Sequence, residues 1–98
     1  MSRTSSARIC AGESAKAIEL TTNYVKSRQA FGGPLWNQQA VRLKLASLAT
    51  RAAAARALAY HAAELVEAGK PCPREVSMVK ALSPEVLHEV VHGCLQLH

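Results

Sequence analysis

The sequence predicts an all-α protein, and three observations support this fold class. Apolar residues make up 49% of the 98 residues and aromatic residues only 4%, a balance that favours closely packed, alanine-rich helices over a β-sandwich core. Apolar residues recur at steps of three and four, the spacing of one helix face. Glycine and proline interrupt this pattern at residues 32–34 and 69–73. We therefore expect an antiparallel, up-down bundle of three helices.

The first helix is expected over residues 5–28. It ends before Gly32-Gly33-Pro34 because glycine and proline continue a helix only at a cost. The second helix is expected over residues 37–68, with Asn37 as a candidate N-cap. The third is expected over residues 74–98. Pro84 lies inside it and predicts a kink or a short break. No segment shows the alternation typical of a β-strand.

Charge and cysteine content restrict the function classes. The formal net charge is +5, but the basic residues are dispersed and no aromatic residues alternate with them, so we expect no nucleic-acid binding. No apolar stretch is long enough to span a membrane, so no membrane partner is expected. The three cysteines, Cys10, Cys72 and Cys94, form no CxxC pair, which favours a reducing compartment over a disulfide framework.

The segment from His88 through Glu89 to His92 matches the HExxH pattern. On a helix, this spacing can place two zinc-binding imidazoles one turn apart beside a glutamate general base. A third protein ligand is also needed, and the strands that usually flank such a site are not expected here. We therefore keep a zinc hydrolase as the least favoured alternative and expect no metal site.

The residues around Gly32 suggest a binding corner. Arg28 closes the first helix and Phe31 follows it, which can place a bidentate phosphate clamp beside a stacking surface. Gln38 and Gln39 open the next helix, whose N-terminal amides suit a pyrophosphate. The ordinary alternative is an arginine that favours the helix dipole, with Phe31 packed on the core and polar residues in the first helical turn.

These residues also carry a family resemblance. Residues 24–32, Tyr-Val-Lys-Ser-Arg-Gln-Ala-Phe-Gly, resemble the acyl-CoA dehydrogenase element Y-x-x-x-R-x-x-F-G, and Pro34-Leu35 and Gln39 follow at the family's spacing. Residues 54–60 resemble the family's next helix. Residues 79–81, Glu85 and the pair Gln96-Leu97 resemble the helix after it. The resemblance covers nearly the whole chain.

The resemblance implies a partial C-terminal helical domain over residues 1–98, an incomplete form of the family's four-helix bundle. An exposed apolar seam would remain where the fourth helix docks, and the chain would bury it by self-association. In this family FAD bridges two subunits of a dimer or tetramer, and an acyl-CoA thioester is oxidised to the 2,3-enoyl-CoA. The implied cofactor-binding residues are Arg28, Phe31, Gln38, Gln39 and Gln96. Arg3 would lie near the acyl-CoA substrate.

The chain departs from the family pattern after His98, where paired glycines, the fourth helix and the segment with the usual catalytic glutamate would follow. We therefore expect no catalytic residue in this chain and no activity from it alone. The resemblance implies a cytoplasmic protein, with the mitochondrial matrix as the alternative compartment. A helical interaction module without a cofactor is the leading alternative function.

Overall fold

The computed structural model describes residues 3–30 and 32–98, with side chains from residue 6 onward. Three helices dominate: α1 (Arg3–Ser27), α2 (Gln39–Glu67) and α3 (Pro73–Leu97). Each helix packs against the other two in an elongated bundle of 56 × 22 × 17 Å, which confirms the predicted all-α class. The expected helix limits differ from the observed ones by one or two residues. None of the described helices is long and apolar enough to cross a membrane.

The connection between α1 and α2 contains a short β-ladder that the sequence did not predict. Strand β1 (Gln29–Ala30) pairs antiparallel with β2 (Gly33–Pro34), with Gln29 opposite Pro34. Gly32, in the turn between them, has a φ of 85°, which glycine adopts without a steric penalty. The Leu35 N–H donates to the Arg28 carbonyl over 2.8 Å. The chain reverses here because this bond and the ladder close the turn.

The expectation that Asn37 caps α2 is wrong. A 3₁₀ turn (Leu35–Asn37) precedes α2, and Gln38 is the N-cap, with no capping hydrogen bond from its side chain. The Gln38 carbonyl accepts from the N–H groups of Val41 and Arg42 over 3.1 and 3.2 Å. The helical hydrogen bonds therefore begin one residue later than predicted, because Asn37 is still part of the preceding turn.

The connection between α2 and α3 is a helix stop of the Schellman type. The Lys70 N–H donates to the Leu65 carbonyl and the Gly69 N–H to the Val66 carbonyl, both over 3.0 Å. Gly69 has a φ of 69°, the left-handed conformation that this motif requires. Pro73 then occupies the start of α3, where its missing N–H costs nothing.

Of the predicted kink or short break at Pro84, the break does not occur, because α3 continues through this residue. Pro84 is exposed and lines an open groove between α1 and α3, together with Ala7 and Cys10 of α1. Val79, Ser83 and Val86 on either side of it are buried against the bundle. These contacts hold the helix together across a position where one backbone hydrogen bond cannot form.

The core runs along the bundle as three clusters of buried residues. The cluster at one end comprises Val25, Val41 and Leu45, with Tyr24, Leu35, Trp36 and Leu97 packed against it. The middle cluster comprises Leu48, Val86, Val90 and Cys94. The cluster at the other end comprises Ala7, Ala62 and Val79. The side chains are small, so the helices can approach one another closely.

An open groove lies between α1 and α2, toward the start of α1. Its volume is about 330 Å³, and two arginines and a tyrosine, Arg8, Arg56 and Tyr60, lie at its walls. The rest of its lining is alanine and glycine: Ala7, Ala11, Gly12, Ala15, Ala59 and Ala63. This groove is therefore a mostly apolar surface that opens to solvent.

Replacing Pro84 should stabilise the chain. Pro84→Ala restores a backbone donor inside α3 and should raise the free energy of unfolding in urea by about 1–3 kcal/mol. The neighbouring exposed residue provides the control, since Glu85→Ala should stay within about 0.5 kcal/mol of the parent chain. A lower stability for Pro84→Ala would show that α3 depends on the proline.

Two glycines should respond differently to the same substitution. A Cβ at Gly12 would contact nothing within 4 Å, whereas a Cβ at Gly93 would lie 2.9 and 3.0 Å from the two methyl groups of Leu48. Gly12→Ala should therefore raise the unfolding free energy by about 0.5–1 kcal/mol through helix propensity. The unfolding free energy of Gly93→Ala should be about 1–3 kcal/mol lower than that of Gly12→Ala, because the added Cβ would press on Leu48, which is buried in the core. Equal gains at both positions would contradict this packing.

Candidate functional site

Four of the predicted cofactor-binding residues lie at one end of the bundle. Helix α1 ends there, α2 begins there, and α3 ends there. We call this part of the molecule the turn end and define it as residues 24–45 and 92–98, without residue 31. The cluster of Val25, Val41 and Leu45 joins its segments, and Leu97 packs against that cluster.

Arg28 is the residue between α1 and β1, and its side chain is exposed. Its backbone is held on both sides. The Arg28 N–H donates to the Tyr24 carbonyl over 2.9 Å, and its carbonyl accepts from Leu35. The guanidinium has no hydrogen bond or ion pair with another described residue. A fixed backbone therefore presents a free planar cation with five N–H donors to solvent.

Gln38 and Gln39 lie at the start of α2, on the other side of the same reversal. Gln38 is half-buried and Gln39 is exposed. Two backbone bonds connect this position with Arg28, since Leu35 donates to Arg28 and the Gln38 N–H donates to the Leu35 carbonyl over 3.0 Å. The first N–H groups of a helix have no partner within the helix, so α2 adds free donors and a partial positive charge.

Gln96 lies in the last turn of α3 and is exposed. Its carboxamide oxygen accepts a hydrogen bond from the Lys44 ammonium group on α2. Its amide nitrogen lies 3.3 Å from Nε2 of His92, one turn earlier on α3. Gln96 is therefore tied to both helices that reach this part of the turn end.

For the two remaining predicted site residues, Phe31 and Arg3, the structure describes no side chain at the turn end. Phe31 lies outside the described residues. Arg3 begins α1, and its side chain is outside the described part. Since α1 has 25 residues, its first and last residues, Arg3 and Ser27, lie about 36 Å apart at 1.5 Å per residue. A substrate contact from Arg3 would therefore be far from the turn end.

The sequence did not predict the contacts around Trp36. The Lys26 ammonium lies 4.7 Å from the centroid of the Trp36 ring, a cation–π contact. The Arg42 guanidinium donates to the Trp36 carbonyl over 2.8 Å. Trp36 packs on the cluster of Val25, Val41 and Leu45 and so covers the ends of α1 and α2. It also links a cation from each of the two helices.

The charge distribution gives the signal that could have located these cations. Between Glu19 and Glu64 the sequence has no acidic residue. The basic residues in this interval are Lys26, Arg28, Arg42, Lys44, Arg51 and Arg56, and the first four belong to the turn end. No acidic residue follows Glu89 either. The charged side chains of the described turn end are therefore all basic, which favours a negatively charged ligand.

The side chains of the HExxH segment, residues 88–92, are not arranged as a zinc site. His88 and His92 are exposed, and their ring centroids lie 6.2 Å apart with nearly parallel planes. The Glu89 carboxylate is half-buried and forms an ion pair with Arg51, in which Nη2 donates over 2.8 Å. Within residues 6–30 and 32–98, no group of three His, Cys, Asp or Glu side chains is arranged to hold a metal ion. The glutamate thus joins α2 to α3.

Comparison with known proteins decides the family. Residues 1–98 match the family model for the acyl-CoA dehydrogenase C-terminal domain. The chain belongs to the acyl-CoA dehydrogenase family. It is 39% identical over 82 residues to an acyl-CoA dehydrogenase of Bacillus subtilis, covering 84% of this chain and 22% of that protein. It is 43% identical over 82 residues to the acryloyl-CoA reductase (NADH) of Anaerotignum propionicum, covering 84% of this chain and 21% of the reductase.

A solved structure shows the same fold. The acyl-CoA dehydrogenase of Geobacillus kaustophilus superposes with a TM-score of 0.93 at 34% sequence identity, over 98% of this chain and 25% of that one. The predicted membership of the acyl-CoA dehydrogenase family, and the helical C-terminal domain that it implied, are thus confirmed. The chain spans about a fifth of the length of the curated relatives it matches.

Removing the ion pair between α2 and α3 should have a small, salt-dependent effect. Glu89→Gln should lower the unfolding free energy by about 0.2–1 kcal/mol at low salt, because both partners are partly exposed. The loss should shrink in about 1 M NaCl, which screens the pair. Glu85→Gln, an exposed position without a described ion pair, is the matched control. A loss of equal size at both salt concentrations would contradict an electrostatic role for Glu89.

Proposed function

We propose that this chain is the cofactor-facing part of a flavin-dependent acyl-CoA dehydrogenase. The whole enzyme would oxidise an acyl-CoA thioester to the 2,3-enoyl-CoA with FAD as the acceptor. The observation that carries this proposal is the turn end of a chain that matches the family throughout. Its cations and amide donors lie at the same end of the bundle, and no described acidic side chain there competes with them.

The donor set at the turn end suits the pyrophosphate of FAD. A guanidinium binds phosphate oxygens through two parallel hydrogen bonds, and free amides at a helix start add further donors. Arg28, Gln38, Gln39 and Gln96 would hold the cofactor from this chain. Phe31, by family resemblance, would lie near the adenine side. Because Arg28, Gln39 and Gln96 are exposed and Gln38 is half-buried, a cofactor held between two subunits could reach them.

The chemistry divides between the cofactor and the protein. When bound, the flavin supplies the electron sink that accepts a hydride from the β-carbon of the acyl group. The residues of this chain bind and orient the cofactor, and the positive turn end attracts its phosphates. Removal of the α-proton requires a base, and we place that base in the part of the enzyme outside this chain. We therefore propose that the chain alone is inactive.

The same site would serve the reverse reaction. Relatives that are called reductases include the acryloyl-CoA reductase of Anaerotignum propionicum and the 3-(aryl)acrylate reductase of Clostridium sporogenes. Oxidation forms the α,β double bond and reduction removes it, so the redox partner of the flavin decides the direction. We propose oxidation, and reduction of the enoyl thioester is the second candidate.

The partners follow from the same proposal. The enzyme would act on acyl-CoA, with Arg3 near the substrate, and would form a homodimer or homotetramer in which the turn end faces a neighbouring subunit's cofactor. We propose no nucleic-acid or membrane partner. We propose the cytoplasm as its compartment, and the mitochondrial matrix is the alternative, since several relatives are mitochondrial.

A chimera tests cofactor binding by Arg28. This chain would replace the matching segment of the Bacillus subtilis acyl-CoA dehydrogenase, and FAD affinity would be measured by flavin absorbance and fluorescence. Arg28→Ala should weaken FAD binding about 10- to 100-fold, since a charge-assisted hydrogen bond contributes about 1.5–3 kcal/mol.

The matched control is Arg74→Ala, an exposed arginine at the start of α3, away from the turn end. It should leave FAD affinity unchanged, and circular dichroism should show that both variants keep the helical content of the parent chimera. A helical interaction module without a cofactor predicts a chimera that folds and binds no FAD. Equal FAD affinity for Arg28→Ala and Arg74→Ala would contradict the proposed site.

A further inference from the structure

We infer that Lys44 and His92 are positioning residues that fix the orientation of the Gln96 carboxamide, so that it offers an N–H donor at the turn end. The orientation is argued from contacts within this chain alone. Its use, to receive a phosphate oxygen of the cofactor, rests on the proposed function. Neither Lys44 nor His92 would need to touch the cofactor.

Lys44 decides which atom of the carboxamide faces α2. A lysine ammonium has three N–H donors and no acceptor. It can therefore bond only to the oxygen of Gln96, and the two atoms are in hydrogen-bond contact. Glu89 is the acidic residue of α3 that is closest to Gln96 in the sequence, but Arg51 binds its carboxylate. Lys44 thus has no described acidic partner to draw it away from Gln96.

His92 decides the direction of the other end of the carboxamide. With the oxygen on Lys44, the amide nitrogen of Gln96 lies toward His92, 3.3 Å from Nε2. An amide NH₂ group only donates, so Nε2 must accept. The neutral imidazole then carries its proton on Nδ1. The positions of these protons follow from the heavy-atom contacts, because a donor cannot face another donor.

As a consequence, the Gln96 carboxamide presents an N–H donor at the end of α3. One N–H of Gln96 is used by His92, so the second N–H is available to an external acceptor. Gln96 is exposed, so that N–H can be reached from outside. The reversed carboxamide would bring its oxygen toward an anionic ligand and would lose the bond from Lys44. The arrangement therefore favours an acceptor such as a phosphate oxygen.

The tautomer of His92 provides a test on the 98-residue chain itself. Long-range ¹H–¹⁵N NMR reports which ring nitrogen is protonated in the neutral imidazole. His92 should show a larger share of the Nδ1–H form than His61, an exposed histidine on α2 without a described partner. Gln96→Leu should return His92 to the distribution of His61. If His92 already resembles His61 in the parent chain, the inferred orientation is wrong.

The chimera tests the use of that orientation. Lys44→Met should weaken FAD binding about three- to tenfold, the effect of one lost hydrogen bond, whereas Lys44→Arg keeps a donor and should bind FAD like the parent. His92→Leu should weaken binding to a similar extent. His61→Leu, the matched control, should have no effect.

The outcomes separate this inference from the proposed function. If Arg28→Ala weakens FAD binding and Lys44→Met does not, the turn end binds the cofactor but the positioning role is wrong. If neither variant changes FAD affinity, the proposed site is wrong and the role of Gln96 in binding fails with it. In that case the tautomer of His92 alone decides whether the carboxamide is oriented as inferred.

Discussion

The backbone reversal between α1 and α2 is the constraint on which the site depends. The hydrogen bond from Leu35 to Arg28, the two-residue ladder and the positive φ of Gly32 together return the chain on itself within a few residues. The end of one helix and the start of the next are therefore held at the same end of the bundle. Without this reversal, Arg28 and Gln39 would have no fixed relation.

Packing beneath the reversal stabilises it. Trp36 covers the cluster of Val25, Val41 and Leu45, while Lys26 lies over its ring and Arg42 holds its carbonyl. Cations that also stabilise the turn raise the local positive potential, and no described acidic residue at the turn end offsets it. Packing and electrostatics therefore favour the same outcome, a well-packed corner with a positive potential.

The sequence predicted the elements that depend on local chemistry. Helical periodicity, the Gly69 stop and the Gly32 turn follow from residues close in the chain, and the fold class was predicted correctly from them. The errors concern competition between local and tertiary effects. Asn37 is a good cap by type but belongs to a 3₁₀ turn, and Pro84 is a helix breaker by type but is held by buried neighbours.

The sequence named residues of the candidate site but did not predict the contacts that those residues make. Arg28, Gln38, Gln39 and Gln96 were named from motif resemblance, and the structure places them at one end. The contacts of Lys44 with Gln96 and of Arg51 with Glu89 join residues that are 52 and 38 positions apart. Single-sequence patterns do not report such pairs, because they depend on the register between α2 and α3. The acid-free interval between Glu19 and Glu64 was the readable signal that was missed.

A crystal structure of the Bacillus subtilis chimera with FAD would test the central claim most directly. We predict that the Arg28 guanidinium and the Gln39 side chain both contact the pyrophosphate of one FAD molecule, held against a neighbouring subunit. A structure in which FAD is bound away from the turn end, or in which Arg28 and Gln39 lie on opposite sides of the molecule, would contradict the account.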